Sequence, residues 1–267
     1  MPRMRIPGLF DSRELLRAIV QRELRGRYRR SRLGMVWSLA HPLMSIAVYA
    51  LVFRYLLKFT PGPGDPSGLD VFALWVLCGL LPWLFFANTT TMGMRAIVDN
   101  QGLVKNVLFD RETLIFGFVG AQVLTFTLEL SLLLGLLLLA GNMFLPWLPI
   151  LVVVVACLTV FTAGVTLLLA ASYVYFRDLQ YLWSICTQLG FFAAPIVYPI
   201  GLLPDRLQTV VRLNPITAFV TSVRNLVYDL RGPTAFDLTV MVCWSVTSLL
   251  IGLGAFSRLS PRFAEEL

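Results

Sequence analysis

The chain has 267 residues, of which 57 % are hydrophobic and only 14 % charged, with a formal net charge of +7. A soluble domain runs at roughly 45–50 % apolar and about 25 % charged. This composition, with a mean hydropathy of +0.76, excludes a soluble globular enzyme, a disordered chain and a disulfide scaffold. An all-α integral membrane protein remains, since a helix satisfies its own backbone polar groups in lipid.

The positive charge is concentrated. Residues 1–35 carry ten arginines against Asp11, Glu14 and Glu23, a surplus equal to that of the whole chain. A cationic end fused to an apolar body reads as a cytoplasmic anchor beside anionic membrane lipid. It does not read as a nucleic-acid binder, because no basic, aromatic soluble module accompanies it. Asp11 and Glu14 form a D-x-x-E helix start. Leu15, Leu16, Ile19, Val20 and Leu24 then recur every three to four residues, with Arg13, Arg17, Gln21 and Arg25 on the other side. This predicts an N-terminal amphipathic interface helix over 11–30; a helix packed on a soluble partner would carry the same pattern. The first thirty residues hold no apolar stretch of signal-peptide length, so no cleaved leader is expected.

Six transmembrane helices follow, near 36–57, 71–94, 113–140, 147–174, 181–198 and 238–256; each approaches the roughly 20 apolar residues that a span needs. His41-Pro42 predicts a bend at the start of the first, and Pro82 falls inside the second. Gly164, Ala170, Ala171 and Ser172 give the fourth small residues for close helix contact. With the N-terminus inside, the inner segments 1–35, 95–112, 175–180 and 257–267 hold 16 of the 22 Lys and Arg. By the positive-inside rule both termini are cytoplasmic.

Segment 199–237 is long, mildly polar and punctuated by Pro199, Pro204, Pro215 and Pro233. Asn214-Pro215 is a helix start, with asparagine capping and proline first, and Phe219, Val223, Leu226, Val227 and Leu230 make a stripe. The pattern predicts a re-entrant helical hairpin dipping into the outer leaflet beside a pathway, because irregular backbone at that depth needs protein or a watery cavity around it. The chain therefore divides into a cytoplasmic N-terminus (1–35), a six-span body (36–257) and a cytoplasmic tail (258–267).

The inventory for catalysis is thin. His41 is the only histidine and has no partner for a metal pair. Cys78, Cys157, Cys186 and Cys243 lie in apolar runs without C-x-x-C spacing and read as small buried residues. Neither a catalytic residue nor a metal is expected. No G-x-x-x-x-G-K-[ST] occurs, so the chain does not cradle ATP. Glu129 is the only carboxylate deep in a span, where a charge costs roughly 2.5–3.5 kcal/mol. It points to a pathway, a subunit contact, or a protonated or locally satisfied side chain. Trp37, Trp75, Trp147 and Trp183 fall near span ends, as interfacial belts do. Phe85, Phe86, Tyr173, Tyr175, Phe191, Phe192 and Tyr198 are candidates for a lining on which sugar rings slide, although packing accounts for each one singly. Arg25, Arg27, Arg29, Arg30 and Arg32 are placed to steer a lipid diphosphate, since guanidinium pairs with phosphate oxygens in a fork; anchoring to lipid headgroups explains them equally.

Seven strings in order carry a resemblance: RYRRSRLGMVWSLAHP (27–42), GLLPW (79–83), LVKNVLFDRE (103–112), YFRDL (175–179), APIVYP (194–199), LNPIT (213–217) and SRLSPRFAEEL (257–267). Together they resemble the permease subunit of type-2 ABC exporters for cell-surface polysaccharides (O-antigen, teichoic acid, capsule), over about residue 15 to the C-terminus. The resemblance implies a homodimer in the bacterial inner membrane, with two copies of an ATP-binding subunit that holds ATP and Mg. It implies a lipid-linked polysaccharide as cargo, O-antigen before the others. It places motor contacts at Leu103, Lys105, Phe109, Arg111 and Glu112, with Arg177 and Asp178 as a second inner contact able to pair with each other. It places the outer gate in the 199–230 hairpin, with Pro199, Asn214, Pro215 and Arg224. Two details depart from the family: FDRE lacks a proline before Arg111, and His41 stands where Gln or Asn is common. A drug or small-lipid exporter shares this architecture. A membrane transferase on lipid-linked sugars would need a catalytic carboxylate or base at the interface.

Overall fold

The computed structural model describes residues 62–267, together with Met4–Arg5, residues 19–22, Met44, Ala47, Val48 and Leu51. Most of the expected first span, with Trp37 and His41, lies outside the described residues, as do Arg25, Arg27, Arg29, Arg30 and Arg32. In chain order the described helices are α1 (Phe72–Gly93), α2 (Ala96–Asp99), α3 (Gln101–Asn106), α4 (Glu112–Leu139), α5 (Leu148–Tyr175), α6 (Leu179–Ala193), α7 (Asp205–Leu213), α8 (Pro215–Arg224), α9 (Ala235–Leu259) and α10 (Phe263–Glu266). A π-turn at Asn225–Asp229 extends α8. The only strand pairing among the described residues is a two-residue parallel ladder between β1 (Met4–Arg5) and β2 (Val107–Leu108).

Four helices, α1, α4, α5 and α9, are long and apolar enough to cross a membrane. They coincide with expected spans two, three, four and six. The fifth differs. α6 has only 15 residues, about 22 Å at 1.5 Å per residue against a hydrocarbon core of about 30 Å. It stops at Ala193 instead of running to 198 because Pro195 forces the residue before it out of helical geometry; Ala194 is extended, at φ −107° and ψ 143°. α9 is longer than expected. Thr234 and Asp237 form a reciprocal capping box at its start, which satisfies its first backbone donors before the apolar run begins.

α5 and α9 pack most extensively, and two glycines permit it. A side chain on Gly164 would meet the Ser248 and Leu249 backbone, and one on Gly252 would strike the carbonyl of Gly164. Backbones approach this closely only where both helices present small residues. Ala170 and Ala171, expected as contact residues, are fully buried further along α5.

The elements define two ends. At one, Ile19 packs on Gly117 of α4, the side chain of Arg22 bonds to Asn100, Met4–Arg5 pair with Val107–Leu108, and Phe263 is buried among α3, α4 and α5 residues. The described N-terminal and C-terminal residues therefore gather around segment 95–112. At the other end lie the α4–α5 turn, segment 194–204, α7, α8 and the start of α9.

Large apolar side chains cover the outside of the bundle: Leu124, Leu128 and Leu132 on α4, Val152 and Val153 on α5, Val242, Val246 and Leu250 on α9. α6 buries none of its residues and exposes Tyr181, Leu182, Ile185, Leu189 and Phe192. Apolar surface this continuous is foreign to a water-soluble monomer. Cys78 is buried as expected, but Cys186 and Cys243 lie on this outer surface, which corrects their reading as buried residues.

Candidate functional site

Segment 95–112, read as an inner loop, is built from α2, α3 and β2. Asn100 joins the two helices, its side chain donating to the Ala96 carbonyl (2.7 Å) while its own carbonyl caps Leu103 N (2.9 Å). Leu103 and Phe109 pack inward on a cluster that includes Ile97, Val104, Leu114 and Phe263, and Lys105 is exposed at the last turn of α3. Glu112 opens α4, where a carboxylate favours the helix dipole. Arg111 is half-buried; its guanidinium donates to the Ser260 carbonyl and lies 5.8 Å from the Phe263 ring centroid.

That contact reveals a dock that the sequence reading missed. Phe263 stands edge-on to Phe256 at 5.4 Å and tilted against Tyr175 at 6.2 Å, and the Tyr175 hydroxyl donates to Leu259 O at 3.0 Å. The C-terminal segment, expected as a cytoplasmic tail, is fastened to the start of α4 and the end of α5. Arg177 lies over the Tyr173 ring at 5.2 Å instead of pairing with Asp178, and the Tyr173 hydroxyl bonds to Gln180. Tyr173 and Tyr175 thus belong to this end. Expected coupling residues and two expected pathway residues share one neighbourhood.

The other end is organised by Arg224. Eight of the ten residues of α8 are buried, whereas none of α7 is. Phe219, Val220 and Val223 are fully enclosed, each contributing about 1.5–3 kcal/mol of apolar burial. Asn214 caps α8 through Ile216 N at 3.0 Å, with Pro215 first in the helix, as the sequence predicts. Pro199 precedes a single 3-10 turn, Ile200–Leu202. The stripe reaches its end at Leu230, whose left-handed φ of 64° closes the π-turn.

Arg224 sits inside, only 5 % exposed. It donates to Pro195 O (2.9 Å), Ile196 O (2.8 Å) and, more distantly, Trp75 O (3.4 Å), and its guanidinium lies 3.7 Å from the Trp75 ring centroid. A charge out of water is costly. Here carbonyl dipoles and an indole face replace the water. Burial pulls its pKa down to about 10, so it remains a cation at neutral pH. Burial pushes Asp229 up against the opposing pull of Arg231, 3.9 Å away, and of Arg224. Gly79 of GLLPW makes room: a Cβ there would meet Arg224 Nη2 at 2.5 Å. Two further ties hold the hairpin. Asn142 donates to Val227 O (2.8 Å) and Tyr228 O (3.0 Å), and the Tyr228 hydroxyl bridges Leu69 O (2.7 Å) and Val71 N (3.1 Å).

The expected pathway residues do not form one lining. Phe85 stacks on Phe126 (4.8 Å) and Phe86 on Phe161 (5.4 Å), both in the core. Phe191 meets the edge of Trp83, Phe192 is exposed, and the Tyr198 hydroxyl bonds to Phe192 O. Glu129 is half-buried on α4. Among the described residues no group of three His, Cys, Asp or Glu is placed to hold a metal.

A family model described as "ABC-2 type transporter" matches residues 14–228. The chain belongs to this family. Among curated relatives it is 33 % identical over 261 residues to the O-antigen export system permease protein RfbA of Myxococcus xanthus, covering 97 % of both chains. It is 26 % identical to the RfbA permease of Klebsiella pneumoniae, over 97 % of this chain and 96 % of that one. It is 23 % identical to the polysialic acid transport protein KpsM of Escherichia coli, over 93 % and 95 %. In this ABC-2 protein the match takes in segment 95–112, Arg177, Asp178 and the hairpin as far as Tyr228.

Proposed function

We propose that the chain is the membrane-spanning permease subunit of an ATP-driven exporter that carries a polyprenyl-diphosphate-linked polysaccharide, O-antigen first among them, across the bacterial inner membrane. The observation that carries this reading is the likeness, over nearly the full length of both chains, to permeases named for O-antigen export. Six spans, both termini in the cytoplasm and a re-entrant hairpin at the outer face complete the arrangement. The gathering of both described termini at the 95–112 end supports this orientation. ATP and Mg belong to two copies of a separate subunit, which docks on segment 95–112 and on Arg177 and Asp178. The uncovered apolar face of α6 supports pairing with a second copy, and a seam between copies is where Phe192 and its neighbours would meet the cargo. Arg25, Arg27, Arg29, Arg30 and Arg32 steer the diphosphate to the entrance. A capsule-type cargo is the second reading, favoured by the polysialic acid transport relative.

The test is co-purification and reconstitution with an ATP-binding partner. ATP hydrolysis coupled to movement of lipid-linked glycan across a vesicle bilayer is the expected result. Glycan movement by this chain alone, or no ATPase in the purified complex, overturns the reading. Replacing Arg27, Arg29 and Arg30 by Gln should slow export; unchanged export with normal insertion removes the steering role.

A further inference from the structure

A cavity of about 340 Å³ opens between the hairpin and the first turn of α9. Its composition is unusual for this apolar chain. Thr217, Thr221 and Asn225 line it from a single stripe of α8 and the π-turn, spaced four residues apart, so their side chains share one face. Arg212 comes from the last turn of α7, Arg231 from the link after the π-turn, and Thr234, Phe236 and Asp237 from the start of α9. α7, α8, the π-turn, the link after it and the start of α9 each contribute a polar group, and the 3-10 turn contributes Ile200.

Thr217 gives the cavity its significance. It is 2 % exposed, and its hydroxyl has no hydrogen-bond partner. Buried hydroxyls are ordinarily satisfied, and an exception calls for a physical reason. Threonines in this chain usually return their hydroxyl to a carbonyl one turn back, as Thr221 does to Thr217 O at 2.7 Å. Thr217 cannot use that route, because the position four residues earlier is Leu213, in the preceding helix. Asn225 bonds through its backbone alone, its N–H donating to Thr221 O and its carbonyl accepting from Arg231 N; its side-chain amide makes no hydrogen bond among the described residues. Arg212 is exposed and forms no ion pair among the described residues. Asp237 is held by Thr234 Oγ1 at 2.7 Å, which fixes one carboxylate oxygen and leaves acceptor capacity on the group. The 48 % exposed ring of Phe236 supplies an apolar wall.

We propose that this cavity binds one sugar ring of the polysaccharide as it leaves the pathway at the hairpin end. The inference rests on the exporter reading above. A sugar ring matches the lining group by group. Its hydroxyls donate and accept, so one ring can satisfy Thr217, Asn225 and Asp237 together, and the guanidinium forks can span adjacent hydroxyl oxygens. Its apolar face lies on Phe236. An acyl chain would leave the hydroxyl, amide and guanidinium groups unsatisfied. A simple anion would be repelled by Asp237 and would leave Phe236 unused. The volume lies at the small end of the ligand-pocket range of roughly 300–1,000 Å³, which suits a single sugar unit.

The experiment uses the full chain in a detergent without a sugar headgroup. Maltotriose, mannotriose and trigalacturonate are the probes, read by saturation-transfer NMR. At least one should show transfer to its ring protons, unaffected by millimolar inorganic phosphate. Thr217→Val keeps the shape and removes only an unsatisfied hydroxyl, so its melting temperature should equal that of the parent or exceed it. Its binding should weaken about tenfold, the cost of one hydrogen bond to a buried site; Arg212→Gln should weaken it similarly. No transfer from any probe overturns the proposal. So does displacement by phosphate, or equal binding by Thr217→Val and Arg212→Gln. Glycan translocation by the reconstituted complex is scored separately. Its persistence without sugar binding overturns the site alone, whereas its absence overturns the exporter reading.

Discussion

Replacing Arg224 by methionine isolates the clamp that fixes the hairpin. Methionine keeps much of the volume but leaves the Pro195 and Ile196 carbonyls, held at 2.9 and 2.8 Å, without their donor. Each charge-assisted bond contributes about 1.5–3 kcal/mol, and the Trp75 face at 3.7 Å adds about 1–2 kcal/mol. Opposing this, removing a buried cation recovers several kcal/mol of desolvation. The difference is a net loss of about 2–4 kcal/mol, which in a chain of this size lowers the melting temperature by about 5–10 °C. Arg224→Lys should fall between, because an ammonium keeps the charge but cannot fork to two carbonyls. Thermal unfolding in detergent reads the global effect. Tryptic cleavage at Arg206 and Arg212, on the exposed α7, reads local opening of the hairpin. A methionine variant that melts within about 2 °C of the parent, with unchanged cleavage, would refute the clamp.

Four further outcomes follow from the same geometry. Tyr228→Phe removes the hydroxyl between Leu69 and Val71 and should cost about 1–2 kcal/mol, measured as a melting shift without loss of secondary structure by circular dichroism. Gly252→Leu drives a side chain into the Gly164 backbone and should destabilise by about 1–3 kcal/mol or more. Gly254→Ala, with open space around it, should be neutral or stabilise by up to about 1 kcal/mol; equal effects of the two would contradict the tight α5–α9 contact. Phe263→Ala empties a fully buried site and should cost about 3–5 kcal/mol. In the reconstituted complex its expected signature is ATP hydrolysis that persists while glycan movement falls, and parallel loss of both would point to misfolding instead.

The sequence makes the long helices legible because their information is local. A span is a run of apolar residues, and the asparagine–proline start of α8 is two adjacent residues. The fifth expected span differs: α6 ends at Ala193, where one proline outweighs an apolar run that continues beyond it, and it falls short of the four span-length helices. Arg224 is a different case. Sequence arithmetic counts it as one more outer-segment charge, while its position depends on Trp75, Gly79, Pro195 and Ile196, two of them about 150 residues away. Gly79 was visible inside GLLPW but carried no hint of what approaches it. The aromatic residues make a related case. Phe85 and Phe86 satisfy any composition-based criterion for a sugar-stacking wall, yet their faces are taken by Phe126 and Phe161, partners that no local pattern reveals. Thr217 offers one sequence-visible clue, a threonine in the first turn after a proline start, where no helical carbonyl lies one turn behind it.

The two ends are joined unequally, and the difference bears on how movement could pass between them. α9 is a 25-residue helix, about 38 Å long, without proline. Its first turn walls the cavity through Thr234 and Asp237, and just beyond its last turn Ser260 receives Arg111. Along its middle, the backbone contact with Gly164 fixes it to α5. α9 therefore links the Ser260–Arg111 contact at one end to Thr234 at the other through one unbroken helix. α1 also runs between the ends but contains Pro82, which removes one helical hydrogen bond and softens it at that point, and its outer part is held by Arg224. Both helices pack on α8, so the hairpin rests on one unbroken helix that reaches the 95–112 end and on one that proline interrupts.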